Sequence, residues 1–260
     1  MNLVNDLTSV ENDIVNAIID IIKSCGGIML DADRNQEMVS QKDGRANFVT
    51  TYDKMVQDRL FCELGKLLPD AVFVGEEEDT HPEINKGYSF IIDPIDGTTN
   101  FIKDYHTSCI SVALLNDGKQ YMGFVYNPYL DEMFYAVNGH GAYLNGRPIK
   151  VSDEELSSGI VLFGTSPYHE ALSKASFEKA YEYFGKALDI RRSGSAAIDL
   201  CSIAAGRAEL YFEMLLSPWD YAAGSLIVRE AGGIVTTMDN EEISFDKGCS
   251  ILATNKKCRE

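Results

Sequence analysis

The sequence predicts an α/β fold in two packed halves, residues 1–150 and 151–260. Two helical patterns open the chain, hairpin signals follow them, and strands alternate with helices beyond residue 151. The chain has 260 residues, of which 45% are hydrophobic and 24% charged, so it contains enough apolar material for a large core. No flexible linker separates the halves, and we therefore expect them to share an interface.

The elements of the first half are predicted from hydrophobic periodicity. Apolar residues recur at the helical spacing over residues 7–24 and 52–68, whereas residues 34–50 are polar and typical of a mobile loop or a hairpin. Asn116-Asp117-Gly118 lies between two apolar runs, which is a strong hairpin signal. Short apolar runs predict strands at 71–75, 88–92, 108–115, 121–126, 132–137 and 142–144.

The second half alternates between strands and helices. Gly232-Gly233 follows the last helical pattern, at a position where glycine commonly ends a helix. The predicted strands are 160–164, 190–192, 210–214, 234–237 and 250–253, and the predicted helices are 173–188, 195–205 and 221–231.

Composition excludes several classes of protein. The chain has 23 Lys and Arg against 40 Asp and Glu, a net charge of −17, so no basic face can dominate and we expect no nucleic-acid partner. Arg191-Arg192 is an isolated pair, which we interpret as solvated beside a strand. The most apolar early stretch, residues 14–22, contains Asp20 and is shorter than the ~20 residues of a membrane span.

Cysteine and histidine usage points to a reducing compartment. None of the six cysteines forms a Cys-x-x-Cys pair, and a chain of this size needs no disulfides, so free thiols in the cytoplasm are expected. The first thirteen residues contain no Lys or Arg, which argues against a signal peptide. The four histidines lie far apart and predict no zinc site.

Residues 93–101 are the most informative segment. Asp93 and Asp96 follow an apolar strand, and Pro94 is expected to stop that strand and fix a turn. Two carboxylates in one small volume repel each other unless a cation joins them, and Mg²⁺ prefers oxygen ligands. Gly97 permits close backbone approach, and a helical turn from Thr98 would offer amides to a phosphate. The alternative is a surface Asp-Pro turn.

Three more acids stand where an element begins or ends. Glu76 follows a predicted strand, and Asp220 and Asp53 open predicted helices. Each has an ordinary alternative, because acids are common in solvated loops and as helix N-caps. Asp53 is either such a cap or a base that orients a water together with Thr98.

Two further positions are candidates for contact with a substrate. Gly194-Ser195-Ala196 opens a predicted helix, so its amides would hold a substrate oxygen, or Ser195 would simply cap the helix. Glu213 ends the apolar strand that precedes Asp220. It is either a solvated strand end or an acceptor for substrate hydroxyls.

Taken together, these segments resemble the inositol monophosphatase family over nearly the whole chain. Residues 99–101 and 192–197 are more similar to inositol monophosphatases than to nucleotide bisphosphate phosphatases or histidinol phosphatases. Four motifs occur in the family's order: Val49-Thr50-Thr51-Tyr52-Asp53, Gly75-Glu76-Glu77, Asp93-Pro94-Ile95-Asp96-Gly97-Thr98-Thr99-Asn100-Phe101, and Trp219-Asp220-Tyr221-Ala222-Ala223-Gly224 with Arg229-Glu230-Ala231-Gly232-Gly233.

The resemblance implies a layered α/β/α/β/α sandwich, a homodimer and inhibition by lithium. It also implies two or three Mg²⁺ ions, with Lys42 on a mobile loop near the third. The implied metal ligands are Glu76, Asp93, the carbonyl of Ile95, Asp96 and Asp220. The implied catalytic residues are Asp53 and Thr98, which would orient the attacking water, with Glu76 and Glu77 near the metals.

The implied substrate contacts are Asp96, Gly97, Thr98, Gly194, Ser195, Ala196, Glu213 and Asp220. Two departures from the family pattern bear on specificity: the connection 81–87 is short, and Gly164-Thr165-Ser166-Pro167 matches only loosely.

The function predicted from the resemblance is Mg²⁺-dependent hydrolysis of a phosphate monoester, with myo-inositol monophosphate as substrate. Two alternatives stay open within the superfamily, a fructose-1,6-bisphosphatase and a 3′(2′),5′-bisphosphate nucleotidase. A third is a cation-binding protein without activity. That protein would not need Asp53 and Thr98, and the presence of both favours an enzyme.

Overall fold

The computed structural model describes residues 7–33, 39–41, 48–167 and 169–258. Within these residues, six helices and two large sheets form an α/β/α/β/α sandwich, as the resemblance implied. The helices are α1 (Ser9–Leu30), α2 (Thr51–Leu67), α3 (Thr98–Ile102), α4 (Glu170–Phe184), α5 (Ala196–Ala204) and α6 (Pro218–Glu230).

A seven-stranded sheet carries the outer helices α1 and α2. Their apolar faces pack with one face of this sheet into a core that includes Ile18, Leu60, Phe90 and Phe124. Its strands, in spatial order, are β3 (Val72–Gly75), β4 (Tyr88–Asp96), β5 (Cys109–Asn116), β6 (Lys119–Asn127), β7 (Glu132–Val137), β8 (Ala142–Leu144) and β9 (Arg147–Ile149).

Helices α5 and α6 form the middle layer between the two sheets. The close fit depends on small residues: a Cβ on Gly123 of β6 would lie 2.7 Å from the carbonyl oxygen of Ala223 in α6, and a Cβ on Gly224 would lie 2.8 Å from Leu200 of α5. Apolar side chains from both helices and both sheets, including Ile91 and Ile251, make this the second core.

A five-stranded sheet and α4 complete the sandwich. Phe163 and Phe212 pack on Tyr183 of α4 in a third core. The strands of this sheet, in spatial order, are β11 (Asp189–Arg191), β10 (Ile160–Phe163), β12 (Leu210–Leu216), β14 (Cys249–Thr254) and β13 (Ile234–Thr236).

A separate two-stranded pair lies before α2. Strand β1 (Val39–Gln41) is antiparallel to β2 (Phe48–Thr50), so the described residues of the polar segment pair as the two strands of a hairpin. The division into domains 1–150 and 151–260 stays a prediction, although the seven-stranded sheet draws on residues 72–149 and the five-stranded sheet on residues 160–254.

One expectation about β4 was wrong. The strand does not stop before Pro94 but continues to Asp96, with a shift of register between Asp93 and Asp96 opposite β5. The irregularity accommodates proline, which has no N–H for the ladder. It sets both acids into the strand itself.

Candidate active site

The C-terminal end of β4 and the N-terminal ends of α3, α5 and α6 meet at one cavity of about 550 Å³. Most of the predicted site residues line it, although Asp53 and Glu77 do not. Those that line it are Glu76, Asp93, Ile95, Asp96, Gly97, Thr98, Gly194, Ser195, Ala196, Glu213 and Asp220.

Three carboxylates converge at its centre. Single oxygens of Asp93, Asp96 and Asp220 all lie within 4.8 Å of one another. Burial raises the pKa of all three acids. Repulsion from Asp96 and Glu76 adds to the rise at Asp93 and Asp220, whereas hydrogen bonds, the first from Ser195, oppose it at Asp96. The cluster therefore carries repulsion that a bound cation would relieve.

The register shift in β4 fixes how the cluster is presented. The carboxylate of Asp93 accepts a hydrogen bond from the backbone N–H of Ile95 at 2.9 Å. The carbonyl of Ile95 in turn accepts the Thr98 hydroxyl at 3.2 Å. Asp93, Ile95 and Thr98 are thus tied to one another by local bonds.

Helix α5 holds Asp96 from the second half of the chain. One oxygen of Asp96 accepts the Ser195 hydroxyl at 2.5 Å and the N–H of Ala197 at 2.7 Å. The Ser195 hydroxyl also accepts from the N–H of Ile198 at 3.3 Å, which makes it the N-cap. Ser195 therefore caps the helix, which was the alternative to substrate contact. Its contact with a substrate stays a prediction.

Asp53 combines capping with a bond to Thr98. It accepts the N–H of Thr50 at 2.7 Å and the Thr50 hydroxyl at 2.5 Å in a capping box. Its other oxygen lies 3.4 Å from the Thr98 hydroxyl. Complete burial raises the pKa of Asp53 to about 6, against the lowering effect of the bonds from Thr50.

Asp220 likewise has two roles, since it caps a helix and belongs to the acid cluster. It accepts the N–H of Ser217 at 2.7 Å in the capping box of α6, which begins at Pro218. Proline is favoured at the first helical position because its missing N–H would be unpaired there. The helix thus starts three residues earlier than predicted.

Glycine is required at position 97. Its φ is +85°, and a Cβ there would lie 3.0 Å from the carbonyl oxygen of Thr107 and 3.2 Å from that of Gly194.

Two more predicted site residues are not among those described at the cavity. The N–H of Glu77, outside the cavity, donates to the side chain of Gln57 at 3.1 Å. Lys42 lies outside the described residues.

The expectation that Glu213 ends its strand was wrong. Strand β12 continues to Leu216, with a shift of register after Glu213. The side chain is only 7% exposed, which rules out a solvated strand end. Its carboxylate accepts the N–H of Ser166 at 2.7 Å and the hydroxyl of Tyr211 at 2.8 Å, and it faces the cavity.

Comparison with known proteins identifies the family to which this arrangement belongs. The sequence profile of the Inositol monophosphatase family matches residues 6–260. The chain is a member of the inositol monophosphatase family.

Individual relatives agree over nearly their whole length. Inositol monophosphatase 2 of Solanum lycopersicum is 35% identical over 257 residues, covering 95% of this chain and 96% of the relative. A Nus factor SuhB of Xylella fastidiosa is 36% identical, covering 94% and 90%. The crystal structure of the extragenic suppressor protein suhB from Bartonella henselae has a TM-score of 0.87 and 33% identity, covering 94% and 95%.

Membership in the inositol monophosphatase family supports a phosphatase activity and leaves the substrate open. The family is metal-dependent, and the cluster of Asp93, Asp96 and Asp220 is an acidic group of the appropriate kind. Among the described residues, no helix has the length and apolar character of a membrane-spanning segment.

Sequence reasoning missed two charged residues that line the cavity. Asp199 is 3% exposed, and its pKa is raised by burial. It stands four residues after Ser195, one turn along α5, and that spacing was the available signal. Arg192 is exposed but lies at the cavity, 3.4 Å from the Thr165 hydroxyl, so it is not simply solvated beside a strand.

Proposed function

We propose that the chain hydrolyses a phosphate monoester with Mg²⁺, and that its substrate is an inositol monophosphate. The observation that carries the proposal is the meeting of Asp93, Asp96 and Asp220 beside the Asp53–Thr98 pair. The first group supplies a cation site, and the second supplies polar groups suited to hold a water.

The cation site suits Mg²⁺. Its donors are carboxylate oxygens, which hard dications prefer. Bound Mg²⁺ would supply positive charge for the phosphate and the leaving oxygen and would acidify a nearby water. The residues proposed to hold it are Glu76, Asp93, the carbonyl of Ile95, Asp96 and Asp220.

Asp53 and Thr98 are proposed to orient the attacking water. The Thr98 hydroxyl lies 3.4 Å from Asp53 and 3.2 Å from the Ile95 carbonyl, so its single proton has an acceptor on either side. Asp53 has a pKa of about 6, close to neutral pH, which suits a group that accepts a proton. The backbone amides of Gly97 and Thr98 are proposed to bind the phosphate, and Glu77 to act near the metals.

The alcohol part of the substrate is proposed to contact Gly194, Ser195, Ala196 and Glu213. A carboxylate accepts hydrogen bonds but cannot donate them, so Glu213 favours hydroxyls and repels a second phosphate. The relative from Solanum lycopersicum carries the name of an inositol monophosphatase, which supports the same substrate. Fructose 1,6-bisphosphate and adenosine 3′,5′-bisphosphate are the alternatives that this argument disfavours.

A role without catalysis is the second candidate, because some relatives are named Nus factors. A phosphate-release assay separates the two. We expect release from myo-inositol 1-phosphate in Mg²⁺, less from fructose 1,6-bisphosphate and adenosine 3′,5′-bisphosphate, and none in EDTA. Asp96→Asn, which removes charge from the cluster, should lose release. Asp70→Asn makes the same change at an exposed acid and should behave as the wild type. Absence of Mg²⁺-dependent release from every ester would reject the proposed enzyme.

Three properties implied by the family stay proposals. They are inhibition by Li⁺, a homodimeric state and a cytoplasmic location. Addition of Li⁺ to the phosphate-release assay tests the inhibition. Light scattering of the protein as it elutes from a size-exclusion column tests the homodimeric state.

A further inference from the structure

The carboxylate of Glu213 is held by the protein from three directions. The N–H of Ser166 donates to one oxygen at 2.7 Å, and the hydroxyl of Tyr211 donates to the other at 2.8 Å. Gly164 lies against the same carboxylate so closely that a Cβ there would overlap it. The position of the carboxylate is therefore set by its surroundings before any ligand arrives.

The loop that supplies the Ser166 N–H is itself locked to β12. Ser166 is 2% exposed and adopts a φ of +41°, a region that non-glycine residues seldom occupy. Its hydroxyl donates to the carbonyl of Leu215 at 3.2 Å and accepts the N–H of Leu215 at 3.1 Å. These bonds fill the register shift that follows Glu213. A strained residue held by several bonds at a cavity is typical of a functional site.

Tyr211 is a fully buried residue in the middle of β12. Its hydroxyl has a partner in Glu213, two positions along the same face of the strand. Burial of a tyrosine hydroxyl is costly unless the hydroxyl is hydrogen-bonded, so this contact is part of what the buried position requires. The Tyr211 hydroxyl donates its one proton to Glu213, and the remaining lone pairs of the carboxylate stay available to a ligand.

We infer that Tyr211 and Gly164 are positioning residues that set the preference for the alcohol part of the substrate. They act by holding Glu213 where its free lone pairs meet a hydroxyl of the bound ester. This inference rests on the proposed role of Glu213 in binding a polyhydroxy alcohol. It adds that the preference depends on residues packed against Glu213, of which Tyr211 does not line the cavity.

The effect should be confined to substrates that carry hydroxyls. A site whose polar groups are fixed in advance discriminates strongly, because the wrong ligand leaves those groups unpaired. A Glu213 carboxylate that is free to rotate loses this discrimination, and a ligand that binds it must also offset the entropy lost when the side chain is immobilised. An aryl phosphate offers no hydroxyl to Glu213 and should be indifferent to its position.

Tyr211→Phe tests the inference by removing one oxygen atom. We expect KM for myo-inositol 1-phosphate to rise about tenfold, the effect of losing one hydrogen bond to a charged group, with kcat changed less than about twofold. KM for phenyl phosphate should stay near its wild-type value. Tyr126→Phe removes a tyrosine hydroxyl bonded to Asp131, remote from the cavity, and is the matched control.

Gly164→Ala tests it from the opposite side, since the added methyl displaces the Glu213 carboxylate. The same split between the two esters is expected. Calorimetric affinities for both esters, with Ca²⁺ replacing Mg²⁺ to slow turnover, give a readout that does not depend on activity. Equal losses for both esters, or no loss in either variant, would overturn the inference. A wild type that binds the esters selectively but releases no phosphate would reject the proposed function and leave the inference standing.

Discussion

At the scale of single residues, three acids in or beside the cavity also have a structural role. Asp53 and Asp220 complete capping boxes, and Asp96 is gripped by the N-terminal turn of α5. The N–H groups that hold them stabilise negative charge, which offsets part of the repulsion among the acids. These three carboxylates are consequently kept in place by bonds to the protein.

Substitution of Thr98 and Asp96 separates the water contact from the cation site. Thr98→Ala removes one hydroxyl and keeps all three cluster acids, so we expect kcat to fall about 10²- to 10⁴-fold with Mg²⁺ affinity retained. Asp96→Asn should lower both, because it removes charge from the cluster. Phosphate release and calorimetry with Mg²⁺ measure the two effects. Thr80→Ala, at an exposed threonine, is the control, and normal turnover by Thr98→Ala would exclude its water-orienting role.

At the scale of elements, the position of α6 depends on the absence of a side chain at Gly123 of β6, against which the helix packs. The helix crosses β6 at Gly123 and presents Asp220 from its first turn. A larger residue in β6 would push the backbone of α6 away from the sheet. The cluster would then widen although none of its members had changed.

Gly123→Ala should therefore lower both stability and Mg²⁺ affinity. The new Cβ meets a backbone oxygen 2.7 Å away, which cannot move without the helix, and such overpacking costs about 1–3 kcal/mol. Gly27→Ala in α1 is the matched control, since a Cβ there meets nothing within 4 Å. The control should raise the melting temperature slightly, because alanine suits a helix better than glycine. Thermal melts and calorimetry would contradict the argument if both variants behaved alike.

Elements with a clear period were predictable from sequence, and exceptions had local causes. The hairpin at Asn116-Asp117-Gly118 is confirmed, with positive φ at Asp117 and Gly118. Strand β9 was missed because its residues are an arginine, a proline and one isoleucine, which form no apolar run. Pro94 was misjudged because a strand can pass a proline through a register shift, and nothing in the local sequence distinguishes that from a turn.

The cavity was predictable only where its residues lie in compact motifs. Asp93, Asp96 and Asp220 stand beside element ends and were found by that position. The bond between Ser166 and Glu213 joins residues 47 positions apart, and no local pattern predicts it. The hold of Ser195 on Asp96 spans 99 positions. Such contacts depend on packing of the finished fold.

At the scale of the whole molecule, acids concentrated in one cavity make stability depend on pH and on cations. Without a cation, Asp93, Asp96 and Asp220 have raised pKa values, and that of Asp53 is about 6. In the unfolded chain these groups titrate near 4. The folded state binds more protons between the two values, so the stability they contribute is present below about pH 4 and is lost as pH rises through about 6 and above.

We therefore expect the melting temperature in EDTA to fall from about pH 5 to about pH 8. Mg²⁺ is proposed to bind the ionised acids, so it should raise the melting temperature more at the alkaline end. At a hundredfold excess over Kd, binding adds about 2.7 kcal/mol. Calorimetric scans with EDTA and with Mg²⁺ measure both curves. A curve in EDTA that rises with pH, or one that Mg²⁺ leaves unchanged, would contradict this account.

The five-stranded sheet cannot close until residues 249–254 have been synthesised. In the finished sheet β14 lies between β12 and β13, so β13 emerges from the ribosome before the strand it pairs with, and one side of β12 stays bare. Bare strand edges invite aggregation and draw chaperones. A nascent chain that has passed Asp220 but not β14 should thus remain open to proteases, because the edge of β12 that β14 covers is still exposed.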